Sequence, residues 1–257
     1  MILLSHFLFD YDYFGLIKYV CNMLKIKTLI FIYLCCFCLL DNIFAQKNAH
    51  KWADFEHYSL ENEFIKKSDI SKKKVVFIGN SITERWMKMH PDFFIKNGYV
   101  CRGISGQTSY QFLLRFREDV VNLSPLIVVI NAATNDIAEN TGPYNEDYTF
   151  GNIISMVEIA QTNNIKVVLT ATLPAIKFTW NTEVNEVALK IQRLNRRLKH
   201  YAECHHIPFV DYYSQMVEET DNGMKPGYAD DGVHPTLLGY KVMESMIHPI
   251  IDTILKK

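Results

Sequence analysis

Five short apolar runs alternate with longer segments of helical periodicity, and this alternation constrains the fold more than any other feature. The runs are rich in β-branched residues and almost continuously apolar, which is typical of strands buried on both faces. They comprise residues 75–78, 99–101, 126–130, 166–170 and 208–211. Candidate helices lie near 52–67, 84–97, 108–123, 147–163, 184–206 and 236–255. This order predicts an α/β fold with three layers, α/β/α, around a parallel sheet.

The composition supports a folded domain and excludes several function classes. Hydrophobic residues make up 49% of the 257 residues, which is enough to build a core. The 27 Lys and Arg residues balance 28 Asp and Glu residues, so the chain has no basic field for a nucleic acid. We therefore expect no nucleic-acid partner.

The N-terminal region has the pattern of a signal peptide. Lys25 and Lys27 precede an apolar run over residues 28–40, and the small residue Ala45 follows as a plausible cleavage position. The run is shorter than the roughly 20 residues of a membrane span. We predict a signal peptide over about residues 23–45, export to the periplasm or the medium, and no stable membrane span after its removal. An uncleaved signal anchor is the alternative.

This interpretation divides the chain into two parts. Residues 1–45 form an N-terminal extension and signal peptide, in which Met23 is a natural start and residues 1–22 are an upstream extension. Residues 46–257 form one domain. Cys101 and Cys204 remain in this domain, and we interpret them as two separate buried thiols, with a disulfide as the alternative.

Small and polar residues follow the first three predicted strands. Ser81 comes after the first strand, Gly106 after the second and Asn135 after the third. The carboxyl ends of parallel strands meet at one edge of a sheet, where binding sites lie. Each residue type also has an ordinary structural role, as a helix cap, a turn glycine or an Asx turn.

A further pair of polar residues lies in a loop rich in Gly and Pro near the C-terminus. Asp231 and His234 are three residues apart, and a carboxylate that orients an imidazole is half of a system that activates a nucleophile. Residues 46–257 contain no H-E-x-x-H or C-x-x-C pair. The glycine spacing from Gly98 to Gly103 lacks the lysine of a phosphate-binding loop. We therefore expect no metal and no cofactor.

Taken in order, these segments resemble the sequence blocks of the SGNH hydrolases, also called the GDSL esterase/lipase family, and in particular its exported bacterial acylhydrolases. Residues 79–82 (GNSI), 103–108 (GISGQT), 134–136 (TND) and 231–235 (DGVHP) match four of these blocks. The resemblance covers about residues 52–256. It implies a flavodoxin-like, five-stranded parallel sheet.

The resemblance also implies an activity and a set of roles. Ser81 is then the nucleophile, His234 the general base and Asp231 the residue that orients it. The oxyanion hole consists of the N–H groups of Ser81 and Gly106 and the side-chain amide of Asn135. The reaction is the hydrolysis of a carboxylic ester through an acyl-enzyme, with no metal or cofactor.

Two positions depart from the usual family pattern. Asn80 stands where Asp is usual, and Ala133 stands where Gly is usual. If the backbone at position 133 needs a positive φ, alanine strains it by roughly 1 kcal/mol or more.

For the substrate, we expect a small-molecule or glycan ester with a short acyl group, such as an acetylated carbohydrate, because no long apolar insertion forms a lipase lid. Trp86 and Trp180 are candidates for a platform under a sugar ring, although core or loop packing explains such residues equally well. Two alternatives stay open: a lysophospholipase or thioesterase acting on lipid acyl esters, and a carbohydrate-binding member with weak catalysis.

Overall fold

The computed structural model describes residues 18–33, 50–67 and 75–256. The chain divides into two compact units, Met1–Trp52 and Ala53–Lys257. In the first unit, residues 18–33 are helical, and the rest of the predicted signal peptide, residues 34–45, lies outside the described residues. Within the described ranges, no helix combines the length and apolar character needed to cross a membrane. The signal peptide therefore stays a prediction.

The second unit is built on five parallel strands. They are β1 (Val75–Gly79), β2 (Tyr99–Gly103), β3 (Ile127–Asn131), β4 (Lys166–Thr170) and β5 (Phe209–Val210), in the spatial order β2-β1-β3-β4-β5. All neighbouring pairs are parallel. The predicted α/β fold, with its flavodoxin-like parallel sheet, is confirmed. The last residue of β1, Gly79, is level with Gly103 of β2 and Asn131 of β3.

The second unit has nine α-helices within the described residues, and six of them lie between successive strands. They are α1 (Ser59–Lys67), α2 (Ser81–Met89), α3 (Pro91–Asn97), α4 (Ser109–Asp119), α5 (Thr134–Ile137), α6 (Glu146–Thr162), α7 (Val187–Cys204), α8 (Tyr212–Met216) and α9 (Leu237–Leu255). The single helix expected over 84–97 is two helices, because His90 leaves the helical conformation and Pro91 begins the next helix. The short helices α5 and α8 were not predicted.

Alternate strand residues face two separate cores, which explains why the strands are apolar throughout. Val76 and Ile78 of β1 pack on one side of the sheet with apolar residues of α4, α6 and α7. Val75 and Phe77 pack on the other side with apolar residues of α2, α3 and α9. Because successive strand residues point to opposite faces, both sets must be apolar.

The chain leaves β3 through a strained residue. Ala133 has φ +91° and ψ −14° and is fully buried. This is the left-handed region, where an L-residue with a Cβ costs roughly 1–2 kcal/mol. Position 133 does have a positive φ, so the strain expected for alanine there is present, at the turn that begins α5.

We expect Ala133→Gly to be nearly neutral in stability. Relief of strain offsets the loss of a buried methyl group, worth about 0.8 kcal/mol, and the added entropy of the unfolded chain, about 0.4–1 kcal/mol. Ala132 is the matched control because it is equally buried and its φ is not positive. Ala132→Gly should lower the free energy of unfolding in urea by about 1–2 kcal/mol. Equal losses for both variants would contradict a strained Ala133.

Candidate active site

Ser81 lies at the junction of β1 and α2. Asn80 caps the helix, its Oδ1 accepting a hydrogen bond from the Ile82 N–H at 3.0 Å. Ser81 is thus the first helical residue, and its N–H is one of the amides that no helical carbonyl can satisfy. Gly79 permits this sharp junction, since a Cβ there would lie 2.1 Å from Thr83 Oγ1.

The loop before α9 holds Asp231 and His234 in a tight turn. Oδ1 of Asp231 accepts hydrogen bonds from the backbone N–H groups of Val233 (3.0 Å) and His234 (2.7 Å). Gly232 between them has φ +79°, which glycine adopts without strain. The turn leaves Oδ2 of Asp231 facing the imidazole of His234.

The three side chains form a continuous hydrogen-bonded chain. Nδ1 of His234 lies 2.7 Å from Asp231 Oδ2, and Nε2 lies 2.8 Å from Ser81 Oγ. Because a carboxylate only accepts, the proton resides on Nδ1, and Nε2 is free to accept the serine O–H. This arrangement can remove the serine proton as the oxygen attacks a carbonyl carbon.

Asp231 is held in its charged form. Partial burial alone raises the pKa of this carboxyl, but the hydrogen bonds from the backbone and imidazole of His234 and from the Val233 N–H outweigh it. The net effect places the pKa of Asp231 below its ordinary value. The carboxylate therefore stays ionised and can stabilise an imidazolium at His234.

The last helix fixes the His234 loop beside Ser81. Tyr240 of α9 is fully buried, and its hydroxyl donates to the Ile82 carbonyl at 2.8 Å. Gly239 packs against the loop so closely that a Cβ would lie 2.4 Å from the Tyr228 carbonyl oxygen. Helices α2 and α9 are thereby joined next to the candidate nucleophile.

Gly106 lies in a tight turn that follows β2. The Gln107 N–H donates to the Ile104 carbonyl at 3.3 Å, and Gly106 has φ +79°. A type II turn requires this φ at its third residue, which favours glycine. The space around Gly106 is open, so backbone conformation, rather than crowding, demands glycine here.

Side chains from three helices hold this turn, which we call the oxyanion turn (residues 104–107). Glu84 of α2 accepts hydrogen bonds from the N–H of Ser105, at 2.8 Å, and from its hydroxyl. Arg115 of α4 donates to Gln107 Oε1 at 2.6 Å. Asn135 of α5 donates from Nδ2 to the Gln107 carbonyl at 2.9 Å.

Asn135 follows β3, and its side-chain amide has one more hydrogen than its bond to the turn uses. One Nδ2 hydrogen is committed to the Gln107 carbonyl, which fixes the orientation of the buried amide. A primary amide has a second hydrogen, which remains for another acceptor. The neighbouring Asp136 is also buried and accepts hydrogen bonds from Ser109 at the start of α4.

Trp86 does not line the site, and its candidacy as a sugar platform was wrong. Its indole is only 1% exposed and lies between Phe93, at a ring-centroid distance of 5.0 Å, and Tyr240, at 5.5 Å. Its Nε1 donates to Glu244 at 2.8 Å. Helix α2 turns this residue into the core, so no ligand ring can stack on it.

Trp180 lies beside the candidate base. The centroid of its indole is 6.0 Å from that of the His234 ring, and 43% of the residue is exposed. Phe178 supports the indole from within the protein, at a centroid distance of 5.2 Å. An exposed aromatic face next to His234 is available to a ligand.

Sequence reasoning missed the residues that hold the oxyanion turn. Glu84 is one helical turn after Ser81, a spacing that places both on one face of α2. That local signal was available for Glu84. Arg115 and Gln107 carry no such signal, because their contact depends on how α4 packs behind the turn.

The two cysteines of the second unit are separate, as expected from the sequence. Cys101 lies on β2 and donates to the Thr83 carbonyl at 3.4 Å, and burial raises its pKa to about 11. Cys204 differs from the expectation in being exposed, because it is the last residue of α7.

Comparisons of the sequence and of the structure with known proteins point to the same family. The model of the GDSL-like lipase/acylhydrolase family matches residues 77–242. A GDSL-like lipase from Bacteroides thetaiotaomicron is 57% identical with a TM-score of 0.76, covering 78% of this chain and 98% of that chain. A protein from Bacteroides fragilis named as an acylhydrolase is 60% identical with a TM-score of 0.78, covering 79% and 98%.

More distant similarity extends to the fold alone. An acetylxylan esterase from Geobacillus stearothermophilus is 21% identical with a TM-score of 0.55, covering 68% of this chain and 91% of that chain. The comparison with curated proteins gave no match.

The lowered pKa of Asp231 predicts an acid-dependent loss of stability. Because the folded-state pKa lies below the ordinary value, the unfolded chain binds the proton first as the pH falls. The stabilisation is fully present above the unfolded pKa of about 3.9 and is lost as the pH falls through the folded one. We expect the difference in free energy of unfolding between wild type and Asp231→Asn to shrink below about pH 4.

Urea denaturation at a series of pH values measures this difference. Asp230→Asn is the control, because it removes one negative charge from the same loop at an exposed position. If Asp230→Asn reproduces the curve of Asp231→Asn, the effect arises from the net charge of the loop and not from the hydrogen bonds of Asp231.

Proposed function

Because this chain belongs to the GDSL-like lipase/acylhydrolase family and is a carboxylic ester hydrolase, we propose that it cleaves its ester with Ser81 as the nucleophile. His234 is the general base and Asp231 orients it. The observation that carries this proposal is the unbroken hydrogen-bonded chain from Ser81 Oγ through both imidazole nitrogens to the Asp231 carboxylate.

The reaction proceeds in two halves. Ser81 Oγ forms a bond to the ester carbonyl carbon while its proton moves to His234 Nε2, giving a tetrahedral oxyanion. The C–O bond to the alcohol then breaks, and Nε2 returns the proton to the leaving alkoxide. Water repeats the attack on the acyl-enzyme, again with His234 as base, and releases the carboxylic acid and free Ser81.

Three donors surround the position of the oxyanion in this proposal. They are the N–H of Ser81, the N–H of Gly106 and the second amide hydrogen of Asn135. One such donor is typically worth about 3 kcal/mol in the transition state because it is oriented before charge develops. The hydrogen bonds that hold the oxyanion turn support this role.

For the substrate, we propose short-acyl esters of carbohydrates, in particular acetyl esters. The exposed indole of Trp180 beside His234 offers the flat apolar surface on which a sugar ring stacks. The acetylxylan esterase from Geobacillus stearothermophilus shares this fold, and its named substrate class is of the same kind. A lipid substrate is the alternative that the first experiment distinguishes.

Hydrolysis of p-nitrophenyl esters from acetyl to palmitoyl tests both the nucleophile and the acyl length. We expect the highest kcat/KM for acetyl, a fall with chain length, and complete loss in Ser81→Ala. Circular dichroism checks that the variant folds. Full activity in Ser81→Ala would exclude Ser81 as the nucleophile, and an optimum at long chains would replace the carbohydrate proposal with a lipid one.

Asn135→Ala tests the oxyanion role. Removing one donor should lower kcat by roughly 10²-fold with little change in KM, because the interaction strengthens only in the transition state. A rise in KM at unchanged kcat would show instead that Asn135 binds the ground-state substrate.

Trp180→Ala tests the sugar platform. We expect KM for an acetylated xylo-oligosaccharide to rise about 10-fold, because a ring packed on an aromatic face is worth on the order of 1 kcal/mol, the value for aromatic pairs. KM for p-nitrophenyl acetate, which has no sugar, should change less than twofold. Trp180→Phe retains an aromatic face and should restore most of the lost affinity. Equal effects on both substrates would contradict a platform for sugars.

A further inference from the structure

Asn140 connects three parts of the site that are distant in sequence. Its side-chain Nδ2 donates to the Gly106 carbonyl at 3.0 Å, and its Oδ1 accepts from the Trp180 indole N–H at 2.9 Å. Its backbone N–H donates to the Asn135 carbonyl at 3.1 Å. One exposed residue thus contacts the oxyanion turn, the exposed indole and the short helix α5, which carries the third proposed oxyanion donor.

The hydrogen bonds from Asn140 and from Glu84 lie on either side of the peptide that carries the Gly106 N–H. The Gly106 N–H belongs to the Ser105–Gly106 peptide at the centre of the turn. The preceding peptide is held by Glu84 through the Ser105 N–H, and the following peptide is held by Asn140 through the Gly106 carbonyl. The N–H between them donates to no other group of the described residues.

Glycine at this position makes such support necessary. Gly106 has φ +79° and open space around it, and glycine populates positive and negative φ about equally. Hydrogen bonds to both flanking peptides remove the conformations in which Gly106 leaves the turn. They therefore help Gly106 to keep the turn conformation with φ +79°.

We propose that Asn140 is a positioning residue that holds Gly106 in its donor conformation and ties the Trp180 indole to the oxyanion turn. Its amide is suited to both tasks because it offers a donor and an acceptor on one rigid plane. Among the described residues no hydrogen bond joins it to Ser81 or His234, so its effect on the reaction passes through Gly106 and Trp180. The kinetic consequence rests on the proposed function.

Nuclear magnetic resonance of the ¹⁵N-labelled protein tests the geometry without relying on activity. The chain has three tryptophans, and the indole signal that Trp180→Phe removes belongs to Trp180. We expect Asn140→Ala to shift both this indole N–H and the Gly106 amide. Asn181→Ala is the matched control, because Asn181 lies beside Trp180 and its amide donates to the Ala138 carbonyl instead. If Asn140→Ala leaves both signals in place, the connection does not exist in solution.

Kinetics on p-nitrophenyl acetate test the positioning role. Asn140→Ala should lower kcat about 10-fold at nearly constant KM, less than the loss of a whole donor. Asn181→Ala should remain within twofold of wild type. Asn140→Asp keeps the acceptor for Trp180 but removes the donor to Gly106, so it should match Asn140→Ala in kcat while retaining the Trp180 indole signal.

The outcomes separate this proposal from the proposed function. Shifted signals with an unchanged kcat would overturn the positioning role. A loss that appears in KM alone would also overturn it. If wild type shows no Ser81-dependent turnover, the proposed function fails, whereas the nuclear magnetic resonance result still decides whether Asn140 holds Gly106.

Discussion

A single buried guanidinium joins the segments from which the site is built. Arg115 donates to the carbonyls of Gly79 (3.1 Å) and Arg102 (2.9 Å), at the ends of β1 and β2, and to the side chain of Gln107 in the oxyanion turn. Burial lowers the pKa of Arg115, but Asp119, at 2.7 Å, opposes this effect and compensates the charge. Breaking a buried pair of this kind by removing one partner typically costs about 3–5 kcal/mol, because a charge is left unpaired. The alignment of β1, which precedes Ser81, with the oxyanion turn therefore depends on this buried ion pair.

The strand order explains why the alignment of these strand ends matters. With the order β2-β1-β3, the carboxyl ends of three adjacent strands lie side by side, and each is followed by one candidate group: Gly106 after β2, Ser81 after β1 and Asn135 after β3. Parallel strands bring these ends to one edge, and the helices that follow present free N–H groups there. His234 comes from the C-terminal part of the chain. The hydrogen bond from Tyr240 to the Ile82 carbonyl holds the helix that follows it against α2. The sheet brings the candidate groups to one edge, and hydrogen bonds from side chains fix their positions there.

The sequence was sufficient for the architecture because strand burial and helical periodicity are local properties. It was also sufficient to name Ser81, Asp231 and His234, which the structure brings within hydrogen-bonding distance. The prediction made from the sequence for Trp86 was wrong. An aromatic residue five positions after Ser81 can face the site or the core, and the packing of α2 against the rest of the protein decides which. The sequence contains no indication of Asn140, whose side chain bonds to Gly106 and Trp180, two positions that only the folded chain brings together. The break at His90 was missed because the apolar pattern continues across it, although Pro91 is a recognised signal for a new helix.

In the proposed function, the groups that must stay fixed are separate from the surface that would meet the substrate. Transition-state stabilisation depends on donors oriented before the reaction, since reorienting them during it removes much of the benefit. Correspondingly, Asn135 is buried, and each residue from Ser105 to Gln107 is held by a side chain from outside the turn. Trp180, by contrast, is substantially exposed and belongs to the loop after β4. Surface loops of this kind tolerate sequence changes that leave the sheet undisturbed. The hydrogen bonds of Asn140 to Trp180 and to Gly106 connect these two parts, so the proposed substrate recognition on the indole and the proposed orientation of the Gly106 N–H share one residue.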